Sequence, residues 1–176
     1  MPVRPVYLCL GGNLGERAAN LQAAVTALAE QIHFTAWSSV WETAPMHVLD
    51  QPPFLNLVLG GETALDGPAL LAWIKQLESE LGRVASVRYG PRLIDIDILS
   101  LGDLISDDPL LTLPHPRLAE RRFVLAPLAE IAPKVKLPGF KDDVLQLLAN
   151  LEETEGGAVH RLGPLESLAP PSVAAL

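Results

Sequence analysis

One cysteine, Cys9, stands in 176 residues. An internal disulfide is therefore excluded, and so sparing a use of thiol fits a reducing compartment, the cytoplasm. No apolar run approaches the ~20 residues needed to cross a bilayer, so no membrane partner is expected. The opening residues, MPVRPVYLCL, hold no long apolar segment followed by a cleavage site, and no secretory signal is expected in them. No Cys/His cluster has zinc spacing, and no serine or cysteine has a plausible His/Asp partner. Nucleophilic catalysis and a zinc centre drop out on that ground. Aromatic residues are few: three Trp, two Tyr and four Phe. Positive charge is also short, with a formal net charge of −8, which argues against general nucleic-acid binding. Internal repeats are absent.

What is present is concentrated. Hydrophobic residues make up 49% of the chain, ample for the core of one domain. Arg83, Arg88, Arg92, Arg117, Arg121 and Arg122, six of the thirteen basic residues, fall within residues 83–122. A local basic patch on an acidic protein suits a small anionic ligand, while the acidic remainder discourages polyanions. Inside that window lies RYGPRLIDIDIL, residues 88–99. In a strand, Ile94, Ile96 and Ile98 share one face, and Leu93, Asp95, Asp97 and Leu99 the other. The two aspartates then sit with Cα atoms about 7 Å apart. Like charges that close need a compensating cation. Arg88 and Arg92 offer one kind, turned back by Gly90-Pro91, and a hard divalent ion such as Mg²⁺ is the other. A strand with a wet outer face is the plainer alternative.

In chain order, residues 6–10 read as a buried strand that stops at Gly11-Gly12. Asn13 and Glu16 resemble a capping box, followed by Leu14, Leu21, Val25, Leu28 and Ile32 at helical spacing. Residues 34–42 read as a second strand, 43–53 as a proline-rich loop, and 54–63 as a third strand with a bulge at Gly60-Gly61. Asp66 caps a second helix with Pro68 in its first turn, an apolar stripe of Leu71, Ile74, Leu77 and Leu81, and a stop at Gly82. After a loop over 83–92, residues 93–101 form the fourth strand. The order strand–helix–strand–strand–helix–strand predicts an α+β, ferredoxin-like βαββαβ core in a single domain with C-terminal additions. Residues 117–128 hold a short helix and a tight apolar segment, and 143–151 a last helix. The domain spans 1–151, and 152–176 reads as a loosely held tail.

Several residues carry two readings. Gly11-Gly12-Asn13 could hold an anion on backbone N–H groups or be a plain turn, with Asn13 pinning neighbouring loops. His115, between two prolines, is either simply exposed or a phosphate contact beside Arg117, Arg121 and Arg122. Phe54 and Phe123 are core, or flat surfaces for a heterocycle, with Asn56 on the strand face of Phe54 to meet its polar edge. Glu78, one position past Leu77, reads as solvated.

LGGNLGER, ETAPMHVLDQPPFLN, LESELGR, RYGPRLIDIDIL and LPHPRLAERRFVLAPLAEIAP follow one another in this order. Together they resemble the 6-hydroxymethyl-7,8-dihydropterin pyrophosphokinases of folate biosynthesis, over about 6–133 and more weakly to about 151. The resemblance implies transfer of the terminal pyrophosphoryl unit of ATP to the pterin hydroxymethyl group, with release of AMP. It implies that Asp95 and Asp97 hold two Mg²⁺ ions, and that Arg83, Arg88 and Arg92 position the phosphates. His115 and Arg121 would contact ATP, with Glu78, Ile98, Leu111 and Thr112 near the nucleoside. Phe54 and Phe123 would sandwich the pterin, with Thr43, Pro45, Met46 and Asn56 around it, and Asn13 would order the loops. A cytoplasmic monomer working on small molecules is the corresponding expectation. Departures from the family pattern are Gly12 where serine is usual, Tyr89 in place of tryptophan, Ala85 in place of a second arginine, a loop after Arg83 about one residue shorter, and Lys75 in a usual glutamine position. A non-catalytic pterin- or nucleotide-binding module and an acidic interaction protein are the competing classes. The first leaves intact Asp95, Asp97, Arg92 and His115 without a purpose, and the second leaves the clustered arginines so.

Overall fold

The computed structural model describes residues 2–45, 47–82, 88, 90–151 and 158–168. The elements are β1 (Arg4–Gly12), α1 (Arg17–Leu28), β2 (His33–Trp37), β3 (Val40–Thr43), β4 (Phe54–Thr63), α2 (Gly67–Glu80), β5 (Asp95–Leu101), β6 (Ser106–Asp108), β7 (Leu111–Leu113), α3 (Arg122–Ile131), α4 (Val144–Asn150) and β8 (Val159–Gly163). The sheet runs β5-β1-β4-β3-β8, with β2 also on β4, and every pairing is antiparallel. With β2 and β3 counted as one broken strand, this is the expected ferredoxin-like order.

The break has a local cause. Ser38 and Ser39 interrupt the ladder, and side chains take over from it. The Val58 N–H donates to Ser38 Oγ at 2.9 Å, and the Ser39 N–H donates to the Glu130 carboxylate of α3. The bulge expected at Gly60-Gly61 lies on the opposite strand, between Phe34 and Ala36 of β2.

Alternation on β1 sends Val6, Leu8 and Leu10 to one face of the sheet, where they pack with Ile96, Ile98, Leu57 and the stripes of α1 and α2. Cys9, Val58 and Leu99 face the other way, onto Leu125 and Leu128 of α3 and Val144 of α4. Fully buried Leu70 and Ile74 of α2 each contribute roughly 1.5–3 kcal/mol of transfer free energy. That helix starts as expected: Asp66 accepts the Ala69 N–H at 2.9 Å, and Gly82 takes φ 93° just past its end. By contrast, α1 has Glu16 at its N-cap position with no side-chain cap bond, so the Asn13 capping box does not form. Asn13 is used elsewhere.

Residues 158–168, read from composition as part of a loose tail, include β8, which pairs along β3 from Val40↔Gly163 to Thr43↔Val159. The edge of β3 supplies the ladder partners that composition does not reveal, and Arg161 Nε adds an ion pair to Glu130 at 2.8 Å. Residues 152–157 and 169–176 lie outside the described residues.

Candidate active site

α3 covers only part of the second sheet face. Beyond its N-terminus lies a cleft of about 780 Å³, counting its open mouth. Its floor is a row of residues set by strand register. Asp95 pairs with Gly11, Gly11 with Asn56, and Asp97 with Cys9 in the next row. Gly11 is what opens the floor, since a Cβ there would come within 2.8 Å of Asn56 Oδ1. Gly12 serves a different contact. A Cβ on it would run into the Leu93 carbonyl, so its backbone and the approach to β5 pack directly together. This close packing, rather than an anion cradle, is the use the structure makes of the Gly-Gly pair.

Asp95 and Asp97 share the cleft face, as the strand alternation requires. Arg92 folds back onto Asp95, Nη1 to Oδ2 at 3.0 Å, with its guanidinium carbon 6.0 Å from the Phe54 ring centre. Burial, then the Asp95 charge, pushes the Asp97 carboxyl up to about 6. The positive charge of Arg121 offsets this only in part. His115 Nε2 lies 4.0 Å from Asp97 Oδ2, and its ring is held by a main-chain bond from its N–H to Leu99 O at 2.9 Å. Burial, reinforced by Arg121, lowers His115 to about 4, so it is neutral at physiological pH. Its Nδ1 accepts the Arg117 N–H at 3.2 Å, which leaves the ring hydrogen on Nε2, facing the carboxylates.

The other half of the cleft is aromatic and amide. Phe54, Asn56 and Thr43 share a face at one end of the β3–β4 ladder, and Asn56 Nδ2 donates to Thr43 Oγ1 at 2.7 Å. Phe123 stands at the start of α3 with the Arg121 guanidinium 5.5 Å above its ring centre. Asn13 ties the segments around the cleft together. Its Nδ2 donates to Gln51 Oε1 and Pro52 O at 3.0 Å each, its Oδ1 accepts the Arg92 N–H at 2.9 Å, and its own N–H donates to Arg92 O at 3.0 Å.

Glu78 corrects the sequence reading. It is 1% exposed rather than solvated. β5 is an edge strand, and the carboxylate takes its outward Ile96 N–H at 2.7 Å while Lys75 Nζ approaches at 3.2 Å. A charge-assisted bond of this kind closes a strand edge that would otherwise need another strand. Since Ile96 points its N–H outward, Ile98, two residues on, presents its main-chain groups on the same edge. The Ile98 side chain itself is in the core. Leu111 and Thr112 lie half-buried on β7, beside β5 and α2. Pro45 is half-buried, and Arg88 is exposed and does not line the cleft. Arg83, Met46, Ala85 and Tyr89 lie outside the described residues. His47, Gln51 and Arg117 line the cleft without having been singled out for it. Arg117 was in view within the Pro-His-Pro-Arg run, whereas nothing local distinguishes His47 or Gln51 within their loop. Among the described residues, no three His, Cys, Asp or Glu side chains converge as a metal cluster.

Fold and site together define an α+β domain with one cleft whose one half is lined by carboxylates and arginines and whose other half is aromatic and amide. The family model described as 7,8-dihydro-6-hydroxymethylpterin-pyrophosphokinase (HPPK) matches residues 7–133, and the chain belongs to that family. It is 43% identical over 132 residues to the 2-amino-4-hydroxy-6-hydroxymethyldihydropteridine pyrophosphokinase of Bacillus subtilis, covering 74% of this chain and 79% of that protein. With the Pseudomonas aeruginosa protein of the same name the identity is 39% over 138 residues, covering 77% and 85%. The mitochondrial folate synthesis bifunctional protein of Pisum sativum is 43% identical over 127 residues, 72% of this chain but 25% of that protein. The chain therefore spans about a quarter of the length of such bifunctional relatives. The solved Plasmodium falciparum HPPK-DHPS with pterin and p-hydroxybenzoate superposes with a TM-score of 0.69 over 85% of this chain and 42% of that one. At 15% identity that likeness bears on the fold alone.

Proposed function

We propose that the protein is an active, Mg²⁺-dependent pyrophosphokinase. It transfers the terminal diphosphate of ATP to the hydroxymethyl group of 6-hydroxymethyl-7,8-dihydropterin, giving the pterin diphosphate and AMP, in folate biosynthesis. The observation that carries this reading is the single cleft in which Asp95, Asp97, Arg92 and Arg121 adjoin Phe54, Phe123, Asn56 and Thr43. The charged half suits a nucleotide phosphate chain, and the aromatic–amide half suits a pterin.

The donor set fits Mg²⁺. Two same-face carboxylates, one of them raised by burial and by the charge of the other, match an ion that keeps several waters and takes one or two carboxylates plus substrate phosphates. Asp95 and Asp97 would hold it, two ions being expected. When bound, the metal neutralises phosphate charge and stabilises the oxygens between which the group passes. The remaining work is positioning, as is general for phosphoryl transfer. Arg92 and Arg121 orient the phosphates, with Arg88 and Arg83 joining from the neighbouring loop. Neutral His115 donates its Nε2 hydrogen to a phosphate oxygen. The outward main-chain groups of Ile98 meet the adenine edge, flanked by Leu111 and Thr112, while Glu78 keeps that strand edge in place. Phe54 and Phe123 sandwich the pterin, Asn56 and Thr43 meet its polar rim, and Pro45 and Met46 close over it. The same reading makes the protein a cytoplasmic monomer with no nucleic-acid or membrane partner. No helix among the described residues is long and apolar enough to cross a membrane.

Mixing the protein with ATP, Mg²⁺ and the pterin alcohol is the direct test. AMP and the pterin diphosphate are the expected products, and ligand binding without AMP would make it a non-catalytic binding module. Replacing Phe123 by alanine should weaken pterin binding by roughly 1–3 kcal/mol, the scale of base–aromatic stacking. ATP binding should fall less, through loss of the surface beneath Arg121. Equal losses for both ligands in calorimetry would assign Phe123 to packing instead.

Residues 43–53 and 83–92 make long connections for a compact domain, where about 4–6 residues is the median. Long loops beside a site commonly close on substrate. Amide exchange over 44–50 is therefore expected to slow when an ATP analogue, Mg²⁺ and pterin are bound together. Unchanged protection would mean that the site is preformed.

A further inference from the structure

We propose that Arg17 and Glu42 form a clamp that positions the pterin half of the cleft, acting through residues 53–56 without touching substrate. What the positioned residues do rests on the reaction proposed above. The clamp itself is read from contacts within the protein.

Thr43 and Phe54 face each other across the β3–β4 ladder, so residues 44–53 leave the sheet and return to it at one point. The returning limb is held from the first residue of α1. A single guanidinium nitrogen of Arg17, Nη1, donates to Glu42 Oε2 at 2.9 Å and to Pro53 O at 2.9 Å. Glu42 immediately precedes Thr43, and Pro53 immediately precedes Phe54. One side chain thus ties together the two backbone positions from which the pterin-facing groups project. Asn13 adds its bonds to Gln51 and Pro52, and the Asn56–Thr43 bond closes the ring of contacts. On the outgoing limb, residues 47–50 are exposed, and Gln51 Nε2 donates back to Val48 O at 2.7 Å within the loop. The contacts of Arg17 and Asn13 thus hold the returning limb, next to the groups that face the pterin.

Helix stability does not account for Arg17. It is the first residue of α1, where the helix dipole disfavours a cation, and the first turn holds no acidic residue. Fold stability does not account for the pair either. Both side chains are about 30% exposed (30% and 31%), and ion pairs so exposed contribute little to folding. The position of the contacts, at both limbs of the pocket, accounts for both residues.

The test compares the full chain with Arg17→Ala, Arg17→Lys and Glu42→Gln. In ligand-free protein, Arg17→Ala should speed amide exchange over 51–56 and move the thermal midpoint by no more than about 2 °C, as for a surface pair. In the AMP assay, the KM for the pterin alcohol should rise about tenfold, the loss of a charge-assisted contact, while the KM for ATP stays put and kcat falls less than about threefold. Lysine at 17 should restore most of the pterin KM, and Glu42→Gln should fall between wild type and Arg17→Ala. Unaltered exchange over 51–56, equal rises in both KM values, or a midpoint loss of core-mutation size would each overturn the clamp. Should wild type form no AMP, the functional reading fails, and the exchange comparison still decides the clamp.

Discussion

Asp97→Ala is expected to lower AMP formation by about a hundredfold to a thousandfold, the scale on which removal of one element of transition-state charge stabilisation is felt. Two carboxylates face the cleft on one strand, and among the described residues no third acidic, His or Cys side chain joins them in a group that could hold a metal ion. Loss of either leaves a bound metal with one protein ligand. The fold should survive, because Asp97 projects from the side of β5 opposite the Ile94–Ile96–Ile98 core. A variant that keeps near-wild-type AMP formation would remove Asp97 from the metal site.

The same residue yields a stability result of opposite sign. Asp97 is harder to ionise in the folded chain than in the unfolded one, its carboxyl being raised to about 6 by burial and by Asp95. Keeping it charged therefore opposes folding. That cost is present in full above about pH 6 and disappears as pH falls towards the ordinary carboxylate range. Asp97→Asn should accordingly raise the thermal midpoint of the ligand-free protein at pH 8 and leave it unchanged near pH 4. A variant destabilised at pH 8 would show that the carboxylate is already compensated by the protein.

Elements whose signals are local were legible in the sequence. Strand β4 coincides with the run read over 54–63, and α2 begins at the Asp66 cap and ends before Gly82, because capping and chain-turning chemistry act within a few residues. The shared face of Asp95 and Asp97 follows from strand parity alone. Signals completed by distant residues were not legible. Ser38 and Ser39 end β2 because Glu130, far along the chain, accepts the Ser39 N–H. Glu78 borders the apolar stripe of an isolated helix, and only the edge of β5 closing over it turns a solvated carboxylate into a buried acceptor. Asn13 followed by Glu16 satisfies the local pattern of a helix cap. The structure uses its amide on Gln51, Pro52 and Arg92, in two distant segments around the cleft that no window around residue 13 contains. The partner of Arg17 has the same character, since Glu42 and Pro53 meet it only after β3 and β4 have paired.

Arg92→Ala should reduce turnover by about a hundredfold or more, and Arg92→Lys should recover less than a tenth of the lost activity. The reason is the number of directions in which this one side chain is committed. Nη1 pairs with Asp95 at 3.0 Å, Nε donates to Gly90 O at 3.3 Å, and the guanidinium plane stands near Phe54. Its backbone is fixed as firmly, exchanging two bonds with Asn13. Arg92 therefore spans the two halves of the cleft, from the carboxylates to the pterin face, and a planar fork can serve both at once. Lysine supplies the charge as a single point. It can answer Asp95 or a phosphate, but it cannot hold the Gly90 carbonyl and Phe54 in the same geometry. Because the ion pair with Asp95 is partly exposed, its removal should cost little stability, and the thermal midpoint should stay close to wild type. Steady-state kinetics should place the loss in kcat for both substrates, with pterin affinity also reduced through Phe54. A lysine variant with near-wild-type kcat would show that charge alone is needed at this position, and that the fork geometry is incidental.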